Sequence, residues 1–281
     1  MAKNSSIYIV TGATGAIGKA IAMQLAIEGK PVMLACRNLD AALSLRQQII
    51  SNTANDNILV EQLSLDSFAS IRAFATRLIS THTTVKALIN NAGIMCRNFS
   101  LTVDGYEETL AVNYFGTLLL SNLLIPIIEK GGDIVFTTSV TRKVHNLPED
   151  IIEDSKHNFS QLGTYASSKL ALTHHALHLA TILKDAEISV NCADPGVVNS
   201  NMITMHRWFD PLSNIFFRPF ISSPRKGARA ALRALKAQNV TAQIFTPTSS
   251  EPIPTEWLQS PAHSRLIKNA EDCLSLKKVD S

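Results

Sequence analysis

The chain has 281 residues, 46% of them hydrophobic and 17% charged, with a formal net charge of +3. This balance is too apolar for a disordered chain, lacks the basic stripe that nucleic acid demands, and suits a core that needs neither disulfides nor metal. Four cysteines (Cys36, Cys96, Cys192, Cys273) stand far apart with no C-x-x-C pair, as expected of reduced thiols.

The opening Met-Ala-Lys-Asn-Ser-Ser runs straight into an apolar strand, Ile7–Val10, which leaves no room for a signal peptide and predicts a cytoplasmic protein. Gly12, Gly15 and Gly18 follow, and then a helical pattern over 16–28. Such a turn lets the backbone approach a pyrophosphate that rests on the helix N-terminus, although glycine turns also serve as plain connections. The second strand, Val32–Cys36, ends at Arg37, where cofactors with a free ribose diol usually meet an acid. Arg37 suits a 2′-phosphate instead, with a solvated loop arginine as the alternative. Asp40 is expected to open the next helix, 39–51.

A strand at Ile58–Leu63, a helix over 67–80 and a strand at Val85–Ile89 come next. A helix over 105–129 carries Asp104 and Glu107 at capping-box spacing, and Gly131-Gly132 marks its stop. Its most apolar part, Leu118 to Ile128, is broken by Ser121, Asn122 and Pro126 and is too short to span a bilayer. Strands at Ile134–Phe136 and Ile188–Ala193 flank a helix over 162–184. Short continuous apolar runs alternating with helices predict an α/β protein, a doubly wound parallel sheet in a single domain spanning 1–281.

Beyond Pro195 the pattern loosens. Trp208, Phe209, Phe216, Phe217 and Phe220 suit a substrate lid over about 200–223, with core packing and membrane contact as alternatives. A helix pattern at 224–235 and a seventh strand at Ala242–Phe245 precede a trailing segment, about 247–281, with little periodicity.

Tyr165 and Lys169 are four residues apart and share one helix face. Making a phenol a base near neutrality means lowering its pKa by roughly 3 units, about 4 kcal/mol. One cation about 4 Å away at an effective dielectric of about 20 supplies energy of that order. A surface Tyr and Lys at helical spacing is the bland alternative. His174 and His178 have a spacing that can hold zinc, but no Glu or Cys completes a ligand set. No metal is therefore expected, and these histidines are expected on the helix surface or at a subunit contact.

Six motifs in order give the chain a closer likeness: Thr11–Gly18, Asn90-Asn91-Ala92-Gly93, Asn113 in Val-Asn-Tyr-Phe-Gly, Ser139 after a strand, Tyr165-x-x-x-Lys169, and Pro195-Gly196. The chain resembles the short-chain dehydrogenase/reductase family up to about Phe245, and within it the retinol-dehydrogenase-like branch. Leu34-Ala-Cys-Arg37, Asp66 ahead of Ser70-Ile71-Arg72, and Asp104-Gly-Tyr-Glu107 carry the branch likeness. The resemblance implies a Rossmann-type domain and an oxidoreductase. Tyr165 would be the acid/base, and Lys169 would tune it and hold the nicotinamide ribose. Ser139 would polarise the substrate oxygen, and Asn113 would anchor a water-linked proton relay. Gly12, Thr14, Gly15, Ile17 and Gly18 would frame the pyrophosphate, with Arg37, Asn38 and Asp66 around the adenosine. Asn91, Ala92 and Gly93 would line the adenosine and ribose side. Pro195, Gly196, Val198 and Ser200 would position the nicotinamide.

Two departures stand out. Thr-Gly-x-x-Gly-x-x-Gly is the spacing of the extended, epimerase-like branch, and Ser139 and Tyr165 are 26 residues apart, about twice the usual gap. An inserted loop bordering the active site, holding His145, Pro148 and His157, is expected between them. The reading is an NADP-dependent enzyme, with NAD the less favoured cofactor, interconverting an alcohol and a carbonyl on a small hydrophobic molecule. A homo-oligomer is implied by the family, and no nucleic acid or membrane partner is expected. An epimerase or dehydratase acting on a nucleotide sugar, and a non-catalytic nucleotide-binding regulator, are the alternatives.

Overall fold

The computed structural model describes residues 6–196 and 223–275. The first six strands are β1 (Ile7–Thr11), β2 (Val32–Cys36), β3 (Ile58–Gln62), β4 (Val85–Asn90), β5 (Ile128–Thr137) and β6 (Ser189–Ala193). With β7 (Gln243–Phe245) and β8 (Ser250–Pro252) they form one sheet in the order β3-β2-β1-β4-β5-β6-β7-β8. Every pairing is parallel except β7 with β8. β2 is buried along its whole length, as a strand covered on both faces must be.

Helices α1 (Ala16–Ile27), α2 (Leu39–Thr53) and, later, α7 (Pro224–Lys236) cover one face. The other is covered by α3 (Phe68–Ser80), α4 (Glu108–Ile127), α6 (Gln161–Ile182) and α8 (Pro261–Leu274). A short α5 (Ile151–His157) lies before α6. β8, α5 and α8 lie outside the elements expected from sequence, and the segment read as trailing carries two of them.

The capping box at Asp104 is corrected. The cap of α4 is Glu107, whose carboxylate accepts from the Thr109 and Leu110 amides. Asp104 instead accepts from Phe68 N at 2.8 Å, in the first turn of the distant α3, whose cap is Ser67. Asn38, not Asp40, opens α2, accepting from Ala41 N at 3.0 Å.

Helix α4 widens into a π turn at Ala111–Gly116, and the Thr117 hydroxyl bonds the Val112 carbonyl at 2.9 Å. Turns of this kind often sit at functional sites, and this one carries Asn113. Gly116 closes it against the neighbouring backbone: a Cβ there would run into the Leu65 carbonyl and come within 3.1 Å of the Ala111 carbonyl. Gly116→Ala is therefore expected to cost about 3 kcal/mol, read as a lowered urea midpoint. An unchanged midpoint would show that the turn relaxes freely.

Candidate active site

The strand order reverses between β1 and β4, and a cleft of about 650 Å³ opens there at the C-terminal ends of the strands. Gly12, at φ +61°, turns the chain out of β1, and a Cβ on Gly18 would meet the Gly12 carbonyl and the Asn91 side chain. Gly15 precedes α1 without a side-chain cap, and the first turn of α1 has no acid, so its N–H groups stay open to an anion. Thr11 Oγ1 accepts from the Asn91 and Ala92 amides, each at 3.0 Å, and Asn91 Nδ2 donates to Thr11 O at 2.9 Å. Asn91 thus lines the cleft while its side chain staples β4 to the glycine turn.

Gly12, Thr14, Gly15, Ile17, Gly18, Arg37, Asn38, Asp66, Asn91, Ala92 and Gly93 all line this one cleft. Arg37 and Asp66 face each other at 3.5 Å, Arg37 with 72% of its side chain exposed. Such a pair is weak in water and free to open for a phosphate. Arg97 and Gln161 also line the cleft. Neither carries a sequence signal, since a lone loop arginine or glutamine follows no period or motif.

Gly93 joins this cleft to the Tyr165 end: a Cβ on it would lie 3.2 Å from Lys169 Nζ and 3.3 Å from Asn113 Oδ1. The Asn113 side chain is locked, accepting from Ile94 N and donating to Ile94 O, both at 2.8 Å, and to Ser168 Oγ at 3.1 Å. Lys169 Nζ donates to Thr137 O at 2.8 Å and sits 5.8 Å from the centre of the Tyr165 ring. Burial pushes this ammonium down to about 8. It also raises the Tyr165 phenol, with the Ser139 hydroxyl opposing and the Asp194 carboxylate adding. Lys169 lies over the ring and donates to a carbonyl, and burial is the largest influence on the phenol. Asp194 accepts from Gly196 N at 2.9 Å and so shapes the Pro195-Gly196 turn. Val198, Ser200 and the aromatic stretch from Trp208 to Phe220 lie outside the described residues.

The insertion between Ser139 and Tyr165 folds as a 3-10 turn, Val140–Val144, followed by α5. It brings His145 beside Gly163 at the start of α6, with half-buried Pro148 following, whereas exposed His157 pairs with Glu153 at 3.2 Å. The surface expectation for His174 and His178 is corrected as well. His174 stacks on Trp257 with ring centres 4.0 Å apart, and its Nδ1 lies 3.2 Å from His263 Nδ1 of α8. His178 is half-buried, with its ring 6.2 Å from that of His263. His175, fully buried, bonds the Tyr114 hydroxyl at 2.8 Å. Helix α8 covers this face of α6.

A doubly wound sheet, a glycine-turn cleft at its switch point and a Tyr-x-x-x-Lys helix together define a nucleotide-binding oxidoreductase architecture. The sequence profile of the short chain dehydrogenase family matches residues 6–208, and the chain belongs to that family. It is 33% identical over 236 residues to retinol dehydrogenase 12 of Homo sapiens, covering 83% of this chain and 74% of the relative. It is 34% identical over 210 residues to polyprenol dehydrogenase of Homo sapiens, covering 72% and 63%. The crystal structure of an uncharacterised protein from Mycobacterium paratuberculosis shares the fold, with TM-score 0.77, 23% identity, and coverage of 98% and 97%. The retinol-dehydrogenase-like likeness therefore stands, as does the Rossmann-type sheet. Members of the family are oxidoreductases that bind a nicotinamide cofactor and act on small alcohols or carbonyls.

The expectation of a cytoplasmic protein is overturned by the same relatives. Retinol and polyprenol, the alcohols in their names, are isoprenoid lipids that dissolve in membranes and scarcely in water. In addition, α4 is by length and composition able to cross a bilayer, with 20 residues at a mean hydropathy of 1.6, although 72% of that window is buried in the fold. The length argument made for Leu118 to Ile128 underestimated this helix.

Proposed function

We propose that this chain is an NADP-dependent oxidoreductase that interconverts an alcohol and a carbonyl on a hydrophobic small molecule, acting as one Rossmann-type domain. What supports the reading is that Gly93, which lines the cleft with Arg37, abuts Lys169 Nζ and Asn113 Oδ1, and that the Ser139 hydroxyl lies beside Tyr165. The turn residues Gly12, Thr14, Gly15, Ile17 and Gly18 would hold the pyrophosphate, and Lys169 with Pro195 and Gly196 the nicotinamide half. Bound there, the nicotinamide cofactor supplies or accepts the hydride. Ser139 orients the substrate oxygen. Tyr165, a neutral phenol by virtue of its burial, gives that oxygen a proton in reduction and takes one back in oxidation. Asn113, fixed by Ile94 and Ser168, orders the proton path leading from Lys169. A homo-oligomer, if formed, uses a surface other than the histidine face of α6, which α8 covers.

A panel of isoprenoid and other apolar aldehydes, followed by NADPH absorbance, tests the reading, with Tyr165→Phe run beside it. No consumption with any carbonyl would favour the non-catalytic alternative. Arg37 decides the cofactor. Arg37→Ala is expected to weaken NADPH binding by about 10- to 100-fold, the loss of one or two hydrogen bonds to a charged group, and to move NADH by less than about twofold. Equal losses for both would remove the basis for NADP.

A further inference from the structure

We propose that Arg142 is a positioning residue for this reaction: its buried guanidinium ties the backbone carrying Ser139 to the Asp194-Pro195-Gly196 turn and shields Tyr165 from the Asp194 charge. The inference rests on the oxidoreductase reading above and adds a residue that no motif marks.

Arg142 lies in the 3-10 turn after Ser139, with 4% of its side chain exposed. Nη1 donates to Asp194 Oδ2 at 2.6 Å and to Ser139 O at 2.9 Å, and Nη2 donates to Glu251 Oε1 at 2.9 Å. The Arg142 amide also donates to Ser139 O, at 3.1 Å. The other oxygen of Asp194 accepts from Gly196 N, and the Asp194 amide donates to Phe245 O at 2.8 Å. One planar fork therefore links the chain ends after β5 and β6 to β8, which hold Ser139 and the Pro195-Gly196 turn. A lysine has donors enough but only a single nitrogen, so it lacks the rigid fork that spans these separated acceptors.

Burying a guanidinium costs several kcal/mol unless its partners are well placed, so the site is justified by what it aligns. Among the described residues, Lys169 on its own helix and Asp194 after β6 bear on Tyr165, while in the loop after β5 Arg142 bonds Asp194 and His145 lies beside Gly163. Asp194 acts on the phenol in the same direction as burial. Without Arg142 the Asp194 carboxylate would act on it undiminished, and Ser139 and Gly196 would lose their common anchor.

The test uses the full chain with Arg142→Met, Arg142→Lys and the double variant Arg142→Met/Asp194→Asn. Two quantities are read: kcat for alcohol oxidation, and the ultraviolet tyrosinate titration of Tyr165, taken as the difference from Tyr165→Phe in the same background. Arg142→Met is expected to lower kcat by about 10- to 100-fold through misplacement, with the cofactor KM moved by less than about threefold. It should also raise the Tyr165 midpoint by about half a pH unit or more. The double variant should return the midpoint to that of the parent while kcat stays low. Arg142→Lys should hold the midpoint and recover kcat in part. If Arg142→Met does not fold, the double variant, which removes both buried charges, decides: parental kcat there overturns the proposal. So does an unmoved midpoint with parental kcat in Arg142→Met. Should Tyr165→Phe itself stay active, the acid/base reading has failed. Should it be inactive while the Arg142 variants match the parent, only the positioning role has failed.

Discussion

Tyr165→Phe is expected to lower kcat for carbonyl reduction by about 10³-fold, the scale of a positioned general acid, while NADPH binding moves by less than about twofold. Phenylalanine keeps the ring that Lys169 faces and removes only the hydroxyl beside Ser139. The fold should therefore lose no more than about 1 kcal/mol, the net worth of one hydrogen bond. Direction of turnover supplies a second signature. Burial holds the phenol protonated through neutrality, so reduction should be nearly independent of pH there. Oxidation needs the phenolate and should climb as pH rises. Steady-state kinetics in both directions would check this, and more than about a tenth of parental kcat in Tyr165→Phe would contradict it.

Acid should weaken the chain through the histidines between α6 and α8. Burial holds His174 down to about 3 and His175 well below its ordinary value, and lowers His178 and His263 as well. Above about pH 6.5 folded and unfolded chains both keep these rings neutral, and stability is unaffected. Below that the unfolded chain binds protons the folded chain refuses, so stability is lost as pH falls from about 6.5 towards the depressed folded values. His174 and His175 alone account for roughly 3 kcal/mol between about pH 7.5 and about pH 5.5. Asp133 opposes them: burial raises it to about 7, so the folded chain takes up a proton first and gains roughly 2 kcal/mol over the same range. The balance is a net loss that His178 and His263, also lowered by burial, deepen, readable from urea midpoints. Asp133→Asn should deepen the drop by about 2 kcal/mol. A pH-independent midpoint in that variant would show that these histidines carry protons in the folded state.

The six central strands were legible because a strand covered on both faces needs an unbroken apolar run, and Val32–Cys36 or Val85–Ile89 can hardly be anything else. The glycine turn was legible for a similar reason, since close backbone approach leaves glycine few substitutes. Tyr165 and Lys169 stood out by spacing, and Ser139 and Asn113 only through family likeness, because nothing local announces a serine after a strand or a π turn. Partners far apart in sequence were not legible. Asp104 looks like a cap for the helix it precedes, yet its amide partner is 36 residues upstream. Helix α8 buries His263, Leu266, Ile267, Ala270 and Leu274, a stripe whose histidine and alanine read as weakly apolar. Arg142 sits in Val-Thr-Arg-Lys, which resembles any solvated turn until Asp194 and Glu251 close on it from across the sheet.

The docking of α8 also sets an order of events. Arg72 Nη2 reaches the Leu274 carbonyl at 3.0 Å across 202 residues, and His263 and Trp257 close over His174. None of these contacts exists until translation has passed them, so the helix bearing Tyr165 and Lys169 leaves the ribosome with its far side bare. The nucleotide-binding half can assemble early from neighbouring strands and helices. Completion of the α6 face must wait until α8 has been made, 89 residues on from His174 to His263, and closing so long a loop is slow. During that interval an apolar, histidine-lined surface is open to chaperones and to aggregation.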